Sequence, residues 1–230
     1  MRTIAIIVAG GSGTRFGAQL PKQFLELAGR PILMRTIEAF GESCETGDTS
    51  LDVIVTLPAD QMDLWKQLCE KYAFSLPHRV VAGGETRWHS VKNALAAVGD
   101  IADVDVIAVH DGVRPLATAG LIGRVLDAAR RDGAAIPVVP LNDSVRQVAG
   151  DTSHALDRSS LRAVQTPQAF DARLLLDAYH QPFDPTFTDD ASVVERAGHR
   201  VNLVDGDPVN LKITRPMDLA LAEYLLNQDA

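Results

Sequence analysis

The stretch TIAIIVAGGSGTRFGAQLPKQF (residues 3–24) decides how this chain is read. Its opening, TIAIIVA (3–9), is a continuous run rich in β-branched residues. A strand covered by helices on both faces has that composition; a half-exposed strand alternates with polar residues instead. The run stops at Gly10 and Gly11, with Gly13 close behind, and a loop carrying Arg15 and Lys22 follows. Neither familiar phosphate-loop template fits. A dinucleotide fingerprint wants a third glycine where Phe16 stands, and an acidic residue closing the second strand, where Leu57-Pro58 is found. The Gly-Lys-Ser/Thr ending of a Walker loop is absent as well. The glycines still let the backbone approach a ligand and turn its N–H groups toward an anion. Arg15 adds a planar fork and Lys22 a point charge. Together they suit a phosphate chain that gains charge in a transition state. The plainer alternative is a glycine-rich βα turn with solvated charges; the anion site is preferred here.

Working outward, strands and helices alternate. Strands are expected at LDVIVTL (51–57), RVVAG (79–83), VDVIAVH (104–110), AAIPVVP (134–140) and HRVNLV (199–204). Helices are expected over 31–40, opened by Pro31, and over 60–73, with Leu64, Leu68 and Tyr72 on one stripe. Others follow at 86–98, with Val91, Leu95 and Val98 inward, and at 121–131, 171–180, 189–197 and 215–227. This order predicts an α/β fold in three layers, a mainly parallel twisted sheet with helices on both faces. Right-handed crossovers bring the loops after the strands to one edge, where ligands bind in such sheets. The loops to read are 10–22, 83–87, 110–115 and the segment after Pro140. That segment departs from the pattern: SVRQV and LRAVQT flank a polar middle and read as a hairpin-like arm over about 141–165. A two-stranded arm is barely stable alone, so it is expected to pack on something, such as a second subunit. The whole of 1–230 reads as one domain with this arm.

A net charge of −8 leaves no excess of Lys and Arg to displace counterions, so nucleic acid is not an expected partner. A local basic cluster for a small anion remains compatible with it. Cys44 and Cys69 are too few for a disulfide framework and form no zinc pair. Arg2 and the apolar run behind it imitate the start of a signal peptide, but a basic glycine loop stands where a cleavage site belongs. No run reaches the ~20 apolar residues of a membrane span. A reducing, cytoplasmic setting is expected.

On residue chemistry alone, several candidates stay open. Asp111 follows an apolar strand in HDGVRP: it is either a ligand for Mg²⁺, which favours one or two carboxylates plus phosphate oxygens, or a turn aspartate. Arg114 is either structural or a phosphate contact, and Ser90 either a polar contact or an ordinary helical serine. The six histidines show no ligand spacing. Ser12 lies outside any Gly-x-Ser-x-Gly elbow, so covalent catalysis is not expected. Asp189 and Asp190 would point ~100° apart on a helix, and they read as N-terminal helix charges.

Taken together, AGGSGTRFGAQLPKQF, GGETRWHSV, HDGVRP, PLNDSVR, DRSSLRAVQTPQAF, FTDDAS and VNLKITRPMDLALAE resemble, in this order, the 2-C-methyl-D-erythritol 4-phosphate cytidylyltransferases. The first segment marks only the wider sugar-nucleotidyltransferase group; QTPQ, TDDAS and LKITRP are more specific. The resemblance implies a Rossmann-like nucleotidyltransferase fold and transfer of CMP from CTP to methylerythritol phosphate, with Mg²⁺, in the non-mevalonate isoprenoid pathway. It implies that Arg15 and Lys22 stabilise the α-phosphate and leaving pyrophosphate, and that Ala9, Gly10 and Gly11 lie along the nucleotide. It places Gly84, Glu85 and Ser90 at the cytosine, Asp111 on the metal, and Thr166 and Lys212 in the joint site. Thr188 falls at the substrate end. The arm implies a homodimer in which Ser144, Arg158 and Arg114 meet the methylerythritol phosphate across the interface. His89, Gly112 and Ser144 depart from the usual acidic residue, alanine and threonine. Ribitol-5-phosphate cytidylyltransferase shares the opening loop and QTPQ and is the alternative; PLNDSVR and DRSSL favour the erythritol enzyme. A nucleotide-binding module without catalysis would have lost the metal or cationic groups. Some relatives carry a fused cyclodiphosphate synthase; the chain stops soon after its last predicted helix, so that activity is not expected in it.

Overall fold

The apolar run becomes β1 (Arg2–Val8), and its side chains divide between two cores. Ala5 and Ile7 enter one cluster and Ile4 and Ile6 the other, all fully buried. Alternation across a strand produces this split. Full burial of each isoleucine contributes roughly 1.5–3 kcal/mol; Thr3, also fully buried in the run, is satisfied by accepting from Arg130 Nη2 at 2.9 Å. The structure, a computed structural model, describes residues 1–11, 20–44 and 50–228.

After β1 come the short pair β2 (Glu26–Leu27) and β3 (Arg30–Pro31), then α1 (Ile32–Cys44), β4 (Ser50–Leu57), α2 (Met62–Lys71) and β5 (Arg79–Ala82). They are followed by α3 (Arg87–Ala96), β6 (Val106–Asp111), α4 (Ala119–Asp132) and β7 (Ala134–Pro140). The chain continues through β8 (Val145–Ala149), β9 (Thr152–Leu156), β10 (Arg162–Val164), β11 (Gln168–Asp171), α5 (Ala172–Ala178), α6 (Asp190–Arg196), β12 (Asn202–Asp205) and α7 (Pro216–Leu226).

The main sheet has the order β10-β7-β11-β6-β1-β4-β5, with β12 also paired to β7. β4, β1, β6 and β5 run parallel, as does β12 with β7. β10 and β11 run antiparallel to their neighbours, so the sheet is mixed with mostly parallel strands. α1, α2 and α4 cover the face of Ala5 and Ile7, and α3, α5 and α6 the face of Ile4 and Ile6. A third cluster of Leu27, Ile32, Val113, Leu116, Ile213 and Ala222 seats α7. The register places Val8 beside both Thr56 and Asp111. The chain therefore leaves β1 and β6 at one level of one edge, which brings their following loops together.

Two expectations need correction. SVRQV does not pair with LRAVQT. β8 pairs with β9 across a Gly150-Asp151 turn, and LRAVQT supplies β10, which returns to the main sheet against β7. β11 has no counterpart in the predicted elements; it is short and inserts between β6 and β7. Leu64, Leu68 and Tyr72 do form one stripe, half-buried against the core, and Trp65 beside them is fully buried. Trp65 stacks on Phe24 at 5.9 Å between centroids and donates its indole N–H to His78 Nε2 at 3.0 Å. Among the described residues, no helix is long and apolar enough to cross a membrane.

Candidate active site

Three of the four predicted loops meet through their described residues. A cavity of about 230 Å³ at the sheet edge is lined by Ala9, Gly10 and Gly11 behind β1, by Lys22, by Gly84, Glu85 and Ser90 around the start of α3, and by Asp111 and Lys212. Arg15 lies outside the described residues. Lys22 opens a 3₁₀ turn over Lys22–Phe24, and its stem passes Gly11, where an added Cβ would stand 3.5 Å from Lys22 Cε. Gln23, not expected from the sequence, fixes that turn. It is buried and its amide donates to the Ala9 carbonyl at 3.0 Å and to Gln61 Oε1 at 2.7 Å, tying the basic loop to the end of β1.

The second glycine turn has a steric reason. A Cβ on Gly84 would stand 2.4 Å from His89 Cβ and 3.1 Å from the His89 carbonyl carbon, so only glycine lets β5 turn directly onto α3. Thr86 caps α3 by accepting from the His89 N–H. Ser90 is buried; its hydroxyl accepts from Gly84 N–H at 3.1 Å and donates to the Thr86 carbonyl at 3.0 Å. Ser90 thus shapes the turn that carries Gly84 and Glu85 to the cavity.

A second cavity, about 290 Å³, lies on the other side of Asp111 and is lined by Arg114, Thr166, Thr188 and Asp189 among others. Thr166, expected in the joint site, lines this cavity. Its side chain also ties the end of β6 together. Its hydroxyl oxygen accepts from the Asp111 N–H at 3.0 Å and lies 3.0 Å from His110 Nδ1. His110 Nε2 faces the Arg114 carbonyl at 3.2 Å, and a carbonyl can only accept. Nε2 therefore carries the proton, and Nδ1 accepts from Thr166. Burial holds His110 neutral by lowering its pKa to about 4.

Asp111 is buried and meets three cations: Lys212 Nζ at 3.0 Å, Arg114 Nε at 3.2 Å and Arg87 Nε at 3.7 Å. Burial alone would raise its pKa, but Arg87, Lys212 and Arg114 outweigh that and hold the carboxyl well below the usual carboxylate range. Arg114 is itself buried and also donates to the Asn210 carbonyl at 2.7 Å, so it belongs to this chain's own cavity. Asp190, read as a helix-end charge, is fully buried and accepts from Arg87 Nη2 at 2.6 Å. Asp189 keeps the capping role, accepting from Ser192 N–H at 2.9 Å. Ser144 and Arg158 are exposed on the arm and line neither cavity; Arg158 donates to the Asn142 carbonyl.

Among the described residues no three His, Cys, Asp or Glu side chains gather into a metal cage. Asp111 offers a single ionised carboxylate. That suits a hard divalent cation drawing its other ligands from phosphate and water.

The IspD family model, 2-C-methyl-D-erythritol 4-phosphate cytidylyltransferase, matches residues 3–228. A protein of that name from Bacteroides fragilis is 48% identical over 222 residues, covering 96% of this chain and 98% of the relative. Another from Bacteroides thetaiotaomicron is 48% identical over 226 residues, covering 98% of this chain and 100% of the relative. The crystal structure of 2-C-methyl-D-erythritol 4-phosphate cytidylyltransferase from Thermus thermophilus superposes with a TM-score of 0.75 at 34% identity, covering 98% of each chain. The chain belongs to the 2-C-methyl-D-erythritol 4-phosphate cytidylyltransferase family.

Proposed function

We propose that this chain transfers the cytidylyl group of CTP to 2-C-methyl-D-erythritol 4-phosphate, giving 4-CDP-2-C-methyl-D-erythritol and pyrophosphate in isoprenoid biosynthesis. One observation carries the reading in structural terms: two cavities share a wall made of Arg87, Asp111 and Lys212. A triphosphate in the first and a phosphomonoester in the second would meet at that wall. A substrate phosphate oxygen attacks the α-phosphorus in line, a new P–O bond forms, and the bond to the β-phosphate oxygen breaks. Such a step needs positioning and charge neutralisation and no protein nucleophile.

The residues divide accordingly. Ala9, Gly10, Gly11, Gly84, Glu85 and Ser90 hold the nucleotide. Lys22 and Arg15 bear on the α-phosphate and leaving pyrophosphate. Lys212, shared by both cavities, orients the attacking phosphate. Arg114, Thr166 and Thr188 hold the polyol phosphate end. Asp111 would hold Mg²⁺, which when bound supplies charge neutralisation on the phosphates. The chain works as a cytoplasmic homodimer in which the arm carries Ser144 and Arg158 to the partner's substrate. Exposure of every residue of β9 and of both arm residues supports that reading, since the arm has little cover of its own.

Phosphorus NMR of a reaction with CTP, Mg²⁺ and methylerythritol phosphate tests the proposal. Paired diphosphate resonances of a CDP-alcohol and free pyrophosphate are expected to grow together. Hydrolysis of CTP to CMP without a CDP-alcohol would contradict it.

A further inference from the structure

A buried network outside the residues assigned by resemblance converges on the wall between the cavities. Arg87 is the first residue of α3, directly behind the glycine turn. Its guanidinium donates through Nη2 to Asp190 Oδ2 at 2.6 Å, and its Nε lies 3.7 Å from Asp111 Oδ1. The second distance is ion-pair range and too long for a hydrogen bond. Asp190 is fully buried, and its other oxygen accepts from Tyr179 O–H at 2.7 Å. Tyr179 in turn stacks on Trp88, centroids 5.6 Å apart and planes 19° apart, so its hydroxyl has little freedom. The guanidinium is therefore anchored from behind by α5 and α6 while its side chain stays 26% exposed. With five N–H donors, and one hydrogen bond to Asp190, it retains donors for another anion.

The placement gives this a purpose. Arg87 lines both cavities, a property it shares only with Asp111 and Lys212 among their lining residues. A pair serving stability alone has no need of that position. A planar fork held on one side by a carboxylate can present its other edge to a phosphate, which a lysine cannot do in the same way. We propose that Arg87 is a further substrate-binding residue that contacts phosphate from both sites where the cavities meet, with Asp190 and Tyr179 as its positioning residues. The inference rests on the cytidylyl-transfer reading above.

Arg87→Lys keeps the charge and removes the fork. Isothermal titration should show affinity for CTP and for methylerythritol 4-phosphate each weakened about tenfold or more, the loss of a charge-assisted hydrogen bond, with kcat lowered as well. Tyr179→Phe, which lies in neither cavity lining, should move both affinities in the same direction by less. If only one affinity changes, the junction role is wrong. If both stay at wild-type values while the melting temperature drops, Arg87 is a structural anchor and nothing more. Should Arg87→Lys not fold, Tyr179→Phe decides: wild-type affinities in that variant overturn the proposal. A wild-type protein without turnover would remove the underlying reading itself; an active wild type with unaltered variants removes this inference alone.

Discussion

Lys22 and His110 show how differently single residues can serve one site. Lys22 sits at the cavity mouth on a turn fixed by Gln23. If it acts on charge that develops during transfer, Lys22→Ala should lower kcat about 10²–10³-fold and weaken CTP binding far less. Steady-state kinetics with a parallel CTP titration would separate the two, and equal losses would contradict the role. His110 works from inside the protein. Its neutral form accepts from Thr166, whose oxygen accepts from the Asp111 N–H and so orients the carboxylate strand end. Because its folded pKa is about 4, the unfolded chain takes up a proton below about 6.5 while the folded chain does not. The contribution of His110 to stability is then complete above about 6.5 and is lost, by about 3 kcal/mol, as the pH drops toward 4. NMR of the His110 ring should show no titration between pH 8 and 5; a midpoint near 6.5 would refute the buried neutral state. Much at this scale was legible. The sequence motifs named Lys22, Gly84, Ser90, Asp111 and Lys212, and the fold gathers them. Arg87 and Asp190 were not paired in advance, because they are 103 positions apart in the chain. Arg87 did carry one signal, a guanidinium opening a helix behind a glycine turn at the ligand edge.

At the scale of elements, the arm is the most exposed part of the chain. All of β9 is exposed, and Val148 on β8 is 71% exposed. Hairpins of this size are marginal without a covering surface. Replacing residues 145–156 with a short flexible link should leave the melting temperature nearly unchanged and convert a dimer to a monomer by light scattering. Arg158→Ala should raise the KM for the polyol phosphate with CTP affinity intact. A dimer that survives the excision would place the interface elsewhere, and a collapse of CTP affinity would contradict the cross-subunit role. The arm's existence was readable from the break in βα alternation, but its pairing was misread. Gly150-Asp151 was the available signal: a two-residue turn with Gly150 at φ 57° joins β8 to β9. β11 escaped because a short strand ending at a helix cap, Asp171, reads equally as a helix approach.

For the molecule as a whole, the sheet order explains why the site is where it is. β1 and β6 are adjacent and in register, so the glycine loop and Asp111 emerge side by side. The return of β10 and β11 through the antiparallel positions carries Thr166 and Gln168 to the same edge, beside the second cavity. The parallel half was legible from apolar runs alone, since full burial leaves a plain composition signal. The antiparallel insertion was not, because long-range pairing leaves no local pattern in strands this short. Selective joining of a cytidine triphosphate to a branched five-carbon polyol phosphate is read out by pyrophosphate release. CTP, UTP and ATP should each be combined with methylerythritol 4-phosphate and with ribitol 5-phosphate, and kcat/KM measured for every pair. The structure and its family predict that CTP with methylerythritol 4-phosphate exceeds every other pair by about 10²-fold or more. A higher kcat/KM with ribitol 5-phosphate, or no release with any pair, would overturn the assignment of methylerythritol 4-phosphate as the substrate.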